Sequence, residues 1–381
     1  RERGEIDLIT LTDELRRQGA LDQVGGPAHV AGLLDAVPST QLLPQSLRSV
    51  SEDAHRREII HTCTRVASEG YNPASKVEDL SQTLDSLTQG LFSSISSRRS
   101  RNFKAVILDT VELIHERMRK GGELPGLSYG IDALDEATNG MQGGQTIVVA
   151  GRPGLGKSSL AMNFGEHLAN KGMPIAVFSI EMMAEQLGIR SLAARAELDS
   201  LKLGRGGVSK EEMKRLSFAV SKLADLPIWI DDRSDMRLID IQIETRRLVK
   251  EHGIKLVIVD YLQLLRYPSD ARNKEDAAAQ ISKGLASLAK ELNIPIIVVS
   301  QLNRDSEKRA GGKPKSSDLR DSGQIEQDAN VILLLHADAI SETDAIIDME
   351  IIVAKCRGGR LGSIPVSFHR PITTFKPRNT Q

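Results

Sequence analysis

One eight-residue segment constrains the fold of this chain more than any other feature. Residues 151–158, with the sequence GRPGLGKS, fit the phosphate-loop pattern GxxxxGK[ST] at every fixed position. The apolar run at residues 146–150 predicts a buried strand before this segment, and residues 159–164 begin a helical pattern after it. Strand, loop and helix in this order predict a P-loop, so the sequence favours an α/β fold that binds a nucleoside triphosphate.

Each residue type of the phosphate loop has a physical reason. Glycines let backbone N–H groups converge on phosphate, and the helix that starts there points the positive end of its dipole at the same charge. We expect Lys157 to reach the β and γ phosphates and Ser158 to hold Mg²⁺. The residues predicted to bind the nucleotide are Gly151, Pro153, Gly154, Gly156, Lys157, Ser158 and Ser159. The competing interpretation, a structural turn that contains Gly and Lys by chance, is disfavoured by the flanking strand and helix.

Length and charge limit the remaining function classes. A chain of 381 residues predicts two domains, or one large domain with an extension. Lys and Arg number 50 against 51 Asp and Glu, so any contact with a polyanion must come from a local patch. The two cysteines, Cys63 and Cys356, have no CxxC spacing, which argues against a zinc site or a disulfide scaffold and favours a reduced compartment.

The termini and the hydropathy pattern predict a soluble, cytoplasmic protein. No apolar stretch reaches the roughly 18 residues of a membrane helix, and the charged start at residues 1–5 does not resemble a secretory signal. A first residue other than Met indicates a fragment or a processed product.

The character of the sequence changes near residue 123. Residues 1–100 have short helical patterns and end in a serine-rich break, and residues 101–122 form one charged helix with an apolar stripe at Ile107, Val111, Ile114 and Met118. Such a stripe packs either on its own domain or on a neighbouring subunit, and the sequence does not choose between these. We therefore expect a partial all-α N-terminal region, a linker helix and an ATPase domain over residues 123–381.

Short apolar runs alternate with helical patterns in the third region, which predicts a mainly parallel sheet covered on both faces. The predicted strands are 146–150, 175–180, 227–231, 255–260, 294–300, 330–336, 348–355 and 364–368.

Three polar residues follow strands of this predicted sheet. Asp260 ends an apolar strand in the Walker B form, and with the phosphate loop it is expected to support Mg²⁺. Glu181 follows another strand and is a candidate for polarising the attacking water, although a salt-bridged surface Glu is the competing interpretation. Gln301 can sense the γ phosphate through hydrogen bonds, and a buried structural amide is almost as good an interpretation.

Several motifs then occur in one order along the chain. They are residues 179–182 (SIEM), 260–264 (DYLQL), 300–304 (SQLNR), 318–328 (DLRDSGQIEQD) and 355–362 (KCRGGRLG). This set resembles that of the bacterial replicative DNA helicases, the DnaB family. The resemblance is close from residue 124 to residue 368. It is looser at residues 11–15 and 24–29, which resemble the later part of the helical N-terminal domain, so we expect that domain to be incomplete.

The resemblance implies a RecA-like ATPase core that assembles as a ring of six, hydrolyses ATP with Mg²⁺ at subunit interfaces, and moves 5′ to 3′ along single-stranded DNA. It also implies that Glu181 is the catalytic base and Gln301 the γ-phosphate sensor. Lys355 and Arg357 resemble the family segment that reaches into the neighbouring site, with Arg357 as the arginine finger, an effect worth roughly 10³ to 10⁵ in rate in related enzymes.

The DNA contacts that the resemblance implies lie at residues 318–323. Arg320, Asp321 and Gly323 are the predicted contacts, and they would bind the backbone of single-stranded or forked DNA without reading bases. Residues 304–315 are glycine-rich and basic, which predicts either a mobile DNA-binding loop or an ordinary solvated charge run. Primase and a helicase loader are the expected protein partners, and a membrane is not.

Two other classes remain open from the sequence. A RecA-type or RadA-type recombinase shares the phosphate loop and a ring or filament habit, and a non-motor protein would use ATP only to assemble or to load a partner. The motifs at residues 318–328 and 355–362 favour the helicase. The sequence does not distinguish a cellular enzyme from a phage enzyme.

Overall fold

The computed structural model divides the chain into two compact units, Arg1–Asn102 and Phe103–Gln381. The residues that the structure describes are 8–17, 19–22, 24–30, 43–71, 102–119, 121, 124–262, 265–267, 271–303, 313–319, 323–338, 341 and 343–378.

The first unit is helical where it is described. Helix α1 spans Leu8–Arg17 and helix α2 spans Leu43–Gly70. Both were expected from the spacing of their apolar residues, and between them Leu21 and Val30 are buried. The serine-rich break predicted at residues 93–100 lies outside the described residues.

The second unit contains the sheet and the helices that cover it. Its helices are α3 (Phe103–Arg119), α4 (Asp132–Thr138), α5 (Lys157–Ala169), α6 (Ala184–Ala196), α7 (Ser200–Gly204), α8 (Lys210–Leu223), α9 (Leu238–His252), α10 (Lys274–Leu292) and α11 (Gly323–Asp328). Its strands are β1 (Thr146–Gly151), β2 (Ile175–Ser179), β3 (Ile228–Asp231), β4 (Leu256–Asp260), β5 (Ile296–Gln301), β6 (Val331–His336), β7 (Ile346–Cys356), β8 (Gly362–His369) and β9 (Thr374–Pro377).

The strands form one nine-stranded sheet in the order β3-β2-β4-β5-β1-β6-β7-β8-β9. The six strands from β3 to β6 are parallel, and β7, β8 and β9 extend the sheet with antiparallel pairs. The carboxyl ends of the six parallel strands therefore meet at one edge, which we call the phosphate edge. The prediction of a mainly parallel sheet is confirmed.

Alternating strand residues bury the two faces of the sheet in two separate cores. Ile147 and Val149 of β1 pack with α5, while Val148 and Ala150 face the core that contains α9 and α10. Every residue of β1 is buried, which is why its sequence reads as a continuous apolar run rather than an alternating one.

All eight predicted strands are present, with ends within two residues of the expected ones. The ninth, β9, was missed because its four residues, TFKP, have neither an apolar run nor a clean alternation and end in Pro. It follows a tight turn after β8, so its pairing depends on that hairpin rather than on its own composition.

Helix α3 carries the stripe predicted for the linker helix. Its side chains are not buried by any described part of the chain: Ile107, Val111 and Ile114 are 45%, 43% and 50% exposed, and Met118 is 71% exposed. Among the described residues, no helix combines the length and the apolar character that crossing a membrane requires.

Candidate active site

The phosphate loop connects β1 to α5 at the phosphate edge. Gly154 and Gly156 have φ angles of 80° and 79°, a left-handed conformation that favours glycine. A Cβ atom at Gly156 would lie 2.7 Å from the ring of Phe368, whereas Gly154 faces open space. The loop is therefore held closely against β8 at one glycine and is free at the other.

Lys157 is the first residue of α5 and points back over the loop. Its Nζ atom donates a hydrogen bond to the backbone carbonyl of Arg152 at 3.0 Å. Burial lowers the pKa of the Lys157 ammonium, and the nearby carboxylates of Asp260 and Glu181 oppose that shift. A phosphate in the loop would compensate the desolvation of this cation.

The structure brings Asp260 and Glu181 to the same place because their strands are neighbours. Ser179 pairs with Asp260 in the register of β2 and β4, and the Ile180 N–H donates to the Asp260 carbonyl at 2.8 Å. Glu181, the next residue, therefore stands beside Asp260. Gln301 ends β5 opposite Gly151 of β1, so these side chains are all at the phosphate edge.

Asp260 is suited to hold a divalent cation. It is 4% exposed, and its Oδ1 atom has no hydrogen-bond partner among the described residues. Burial raises the pKa of its carboxyl group, a hydrogen bond with Ser158 lowers it, and the charge of Glu181 raises it further. A buried carboxylate with one unsatisfied oxygen beside a hydroxyl is a donor set for Mg²⁺, whose charge would offset the desolvation.

One cavity of about 830 Å³ joins these groups. Of the ten residues predicted for phosphate, metal or water, nine line it; Gly151 is the exception and ends β1 behind the loop. The nine are Pro153, Gly154, Gly156, Lys157, Ser158, Ser159, Glu181, Asp260 and Gln301. Such a cavity is large enough for a nucleotide.

Sequence reasoning missed Arg190, which lines the same cavity from α6. Burial lowers the pKa of its guanidinium, while the charges of Asp260 and Glu181 oppose that shift. Its backbone carbonyl accepts a bond from the Thr373 hydroxyl at 3.3 Å. The sequence held no signal for it, since α6 must first be packed before an Arg nine positions after Glu181 reaches the phosphate edge.

Lys355 and Arg357 do not lie in this cavity. In the sheet register Cys356 pairs with Val331, and Val331 pairs with Ile147 at the start of β1. Because β7 runs antiparallel, the turn after it lies at the edge opposite the phosphate edge. The length of β1 separates the two edges by about 16 Å, from 3.2 to 3.4 Å per residue.

Both cations rest on the C-terminal end of α11. The Lys355 Nζ atom donates to the carbonyls of Glu326 and Gln327 at 2.5 and 3.1 Å, and the Arg357 guanidinium donates to the Gln327 carbonyl at 2.9 Å. Cations at this position complement the helix dipole as well as the unpaired carbonyls.

The predicted DNA contacts are only partly described. Arg320 and Asp321 lie outside the described residues, and Gly323 is the first residue of α11, with open space around its Cα atom. Of the basic segment 304–315, the described end includes Lys313, which forms an ion pair with Glu350 at 2.8 Å. Helix α11 therefore begins at the predicted DNA loop and ends at Lys355 and Arg357.

Comparison with known proteins agrees with this geometry. Residues 126–377 match the family model described as the DnaB-like helicase C terminal domain, and residues 1–52 match the DnaB-like helicase N terminal domain.

Two relatives are the replicative DNA helicase DnaB of Geobacillus stearothermophilus and the replicative DNA helicase DnaC of Bacillus subtilis. The first is 35% identical over 384 residues, which cover 98% of this chain and 84% of the relative. The second is 34% identical over 379 residues, with the same coverage of 98% and 84%.

Two solved structures are similar as well. One, an isolated ATPase domain, has a TM-score of 0.68 at 28% identity, covering 74% of this chain and all of that one (100%). The other, a DnaB-like replicative helicase studied with its interactions with primase, has a TM-score of 0.66 at 26% identity, covering 97% of this chain and 87% of that one.

Proposed function

Because the chain belongs to the DnaB-like family of replicative DNA helicases, we propose that it hydrolyses ATP with Mg²⁺ at the phosphate edge and uses an arginine from a neighbouring subunit. The family is one of ATP-hydrolysing replicative helicases, which the recombinase and non-motor alternatives do not match. The observation that carries the proposal is the position of Arg357 at the sheet edge opposite Lys157.

The bound nucleotide is held by the chain's own loop. The N–H groups at the start of α5 and the Lys157 ammonium bind the β and γ phosphates, and Ser158 and Asp260 hold the metal. Bound Mg²⁺ supplies charge that neutralises the phosphate oxygens. Each of these groups comes from one subunit, so nucleotide binding does not require assembly.

Hydrolysis needs a water, a proton acceptor and charge stabilisation. Glu181 borders the cavity beside Asp260 and accepts the proton of the attacking water, while the neutral Gln301 amide contacts the γ phosphate without repelling it. Arg357 is too far from its own phosphate loop to reach the transferred group, because the length of β1 lies between them. The guanidinium of a neighbouring subunit therefore completes the site.

Head-to-tail contacts of this kind form a ring when the rotation closes, and we propose the hexamer of the DnaB family. The uncovered stripe of α3 favours the second of its two expected roles, docking on a neighbouring subunit. DNA passing the loop at residues 318–323 would be bound through phosphates by Arg320, Asp321 and Gly323. Binding should therefore be sensitive to salt and tolerant of sequence. Primase, which one structural relative contacts, and a loader are the proposed protein partners.

Unwinding of a forked duplex tests this function. The parent protein with ATP and Mg²⁺ should open a fork with a free 5′ tail and leave a fork with only a 3′ tail closed. Arg357→Ala should lose unwinding and most of the ATP hydrolysis, by roughly 10³-fold. The control is Arg378→Ala, because Arg378 forms an exposed ion pair with Asp348 at 3.0 Å. Hydrolysis by the parent without unwinding would instead support a non-motor ATPase.

A further inference from the structure

The turn that carries Arg357 is fixed to α4 by specific contacts. The Asn139 side-chain amide donates to the carbonyl of Gly358 at 3.1 Å, and the Arg360 N–H donates to the carbonyl of Ala137 at 2.7 Å. Gly359 fits between them only because it has no side chain: a Cβ atom there would lie 2.4 Å from the Ala137 carbonyl oxygen. The turn and the end of α4 therefore move as one piece.

The backbone on the other side of Arg357 is fixed as well. The Arg357 N–H donates to the carbonyl of Asn330 at 2.9 Å, and the Asn330 N–H donates to the Thr146 carbonyl at 2.9 Å. Arg357 thus stands between an anchor to β1 on its N-terminal side and the Asn139 contact on its C-terminal side. Gly358, with a φ angle of 98°, is the flexible point between them.

Asn139 itself occupies an unusual backbone position. It caps α4 with a φ angle of 61°, where glycine would be the least strained residue. Asparagine tolerates this conformation and adds an amide that glycine lacks. That amide is what reaches Gly358.

We propose that Asn139 is a positioning residue for Arg357: its amide holds the Gly358 carbonyl and so sets the direction in which the turn presents the guanidinium to the neighbouring subunit. This inference rests on the proposed role of Arg357 in the neighbouring site. Asn139 touches neither nucleotide nor DNA, and it acts on the site that its own subunit does not contain.

Substitution by glycine isolates the amide. Asn139→Gly keeps the left-handed backbone without strain and removes only the donor, and Asn139→Asp keeps the shape but replaces the donor with an acceptor. Both variants should reduce the kcat of DNA-stimulated ATP hydrolysis about tenfold, with KM unchanged, since misplacing a group by a fraction of its reach affects the transition state more than binding. Asn293→Gly is the matched control, because Asn293 caps α10 with a φ angle of 54° and lies away from the turn.

Co-assembly of two variants separates positioning from damage. Lys157→Ala subunits have a defective phosphate loop but an intact turn, so rings mixed with Asn139→Gly subunits should regain activity at the sites formed by the Asn139→Gly loops. Arg357→Ala mixed with Lys157→Ala should regain activity in the same way. Asn139→Gly mixed with Arg357→Ala should not exceed the activity of Asn139→Gly alone, because neither subunit has a normal turn.

Three results would overturn the inference or its premise. Parental activity of Asn139→Gly would exclude a positioning role. Rescue of Arg357→Ala but not of Asn139→Gly by Lys157→Ala would place the effect of Asn139 in its own subunit, through folding or its own site. Failure of both mixtures would contradict the proposed action of Arg357 in the neighbouring site. Thermal unfolding of each variant identifies a loss of stability directly.

Discussion

Two glycines of the phosphate loop share a backbone conformation but differ in their surroundings. Gly154 and Gly156 both have φ near 80°, and a Cβ atom would meet nothing within 4 Å at the first and the ring of Phe368 at 2.7 Å at the second. The backbone cost of a side chain is therefore similar at the two positions, and the steric cost is not.

This difference predicts unequal effects of alanine. Gly154→Ala should cost about 1 to 2 kcal/mol from the left-handed backbone alone, and Gly156→Ala a further 1 to 3 kcal/mol from overpacking against Phe368. Nucleotide affinity, measured by fluorescence titration, should fall about tenfold more for Gly156→Ala. Phe368→Leu should recover part of the loss in Gly156→Ala and none in Gly154→Ala. Equal losses in the two alanine variants would contradict the contact with Phe368.

At the level of single residues, the sequence predicted the site as far as local order and strand direction reach. The phosphate loop is contiguous, so its residues needed no tertiary information. Asp260 and Gln301 end parallel strands, and parallel strands bring their ends to one edge. Arg190 and Phe368 were missed because each reaches the cavity through packing, of α6 and of an antiparallel strand, that no spacing in the sequence encodes.

Among the elements, the hairpin of β7 and β8 is where sequence and structure differ most in what they reveal. The motif at residues 355–362 was visible in the sequence, and the strands on both sides were predicted. The direction of β7 was not, because apolar patterns do not distinguish parallel from antiparallel pairing. That direction decides which edge of the sheet carries Arg357.

The same hairpin contains a second matched pair of glycines. Neither Gly359 nor Gly362 has a positive φ angle, but a Cβ atom at Gly359 would meet the Ala137 carbonyl oxygen and the Cys356 sulfur, while Gly362 faces open space. Alanine at Gly359 must therefore push the turn away from α4, and alanine at Gly362 need not move anything.

We expect Gly359→Ala to lower DNA-stimulated ATP hydrolysis by at least tenfold and to destabilise the protein by about 1 to 3 kcal/mol. Gly362→Ala should stay within about 0.5 kcal/mol of the parent in unfolding and keep its activity. Steady-state ATPase assays and denaturant unfolding measure both quantities. Loss of activity in both variants to the same degree would show that the close approach to α4 is not what the turn requires.

For the whole molecule, the separation of Lys157 and Arg357 makes activity depend on association. An isolated subunit contains a complete binding site but no arginine for hydrolysis. ATP hydrolysis per subunit should therefore rise steeply with protein concentration and then level off, over a range of roughly 10³-fold in rate. Arg357→Ala should show a low rate that does not change with concentration.

Mass photometry at each concentration relates that rise to assembly. The rate should follow the fraction of assembled subunits, and the midpoint should not move when ATP is saturating at all concentrations. A constant rate per subunit down to concentrations at which only monomers are present would contradict completion of the site by a neighbour.

The placement of loop and arginine at opposite edges of one sheet also sets a rule of counting. An open row of such subunits always has one phosphate loop, at its end, that no arginine serves, and only closure of the row supplies the last one. A ring that parts at a single contact to admit a DNA strand therefore silences the one site at that break, while every other site stays complete and able to fire.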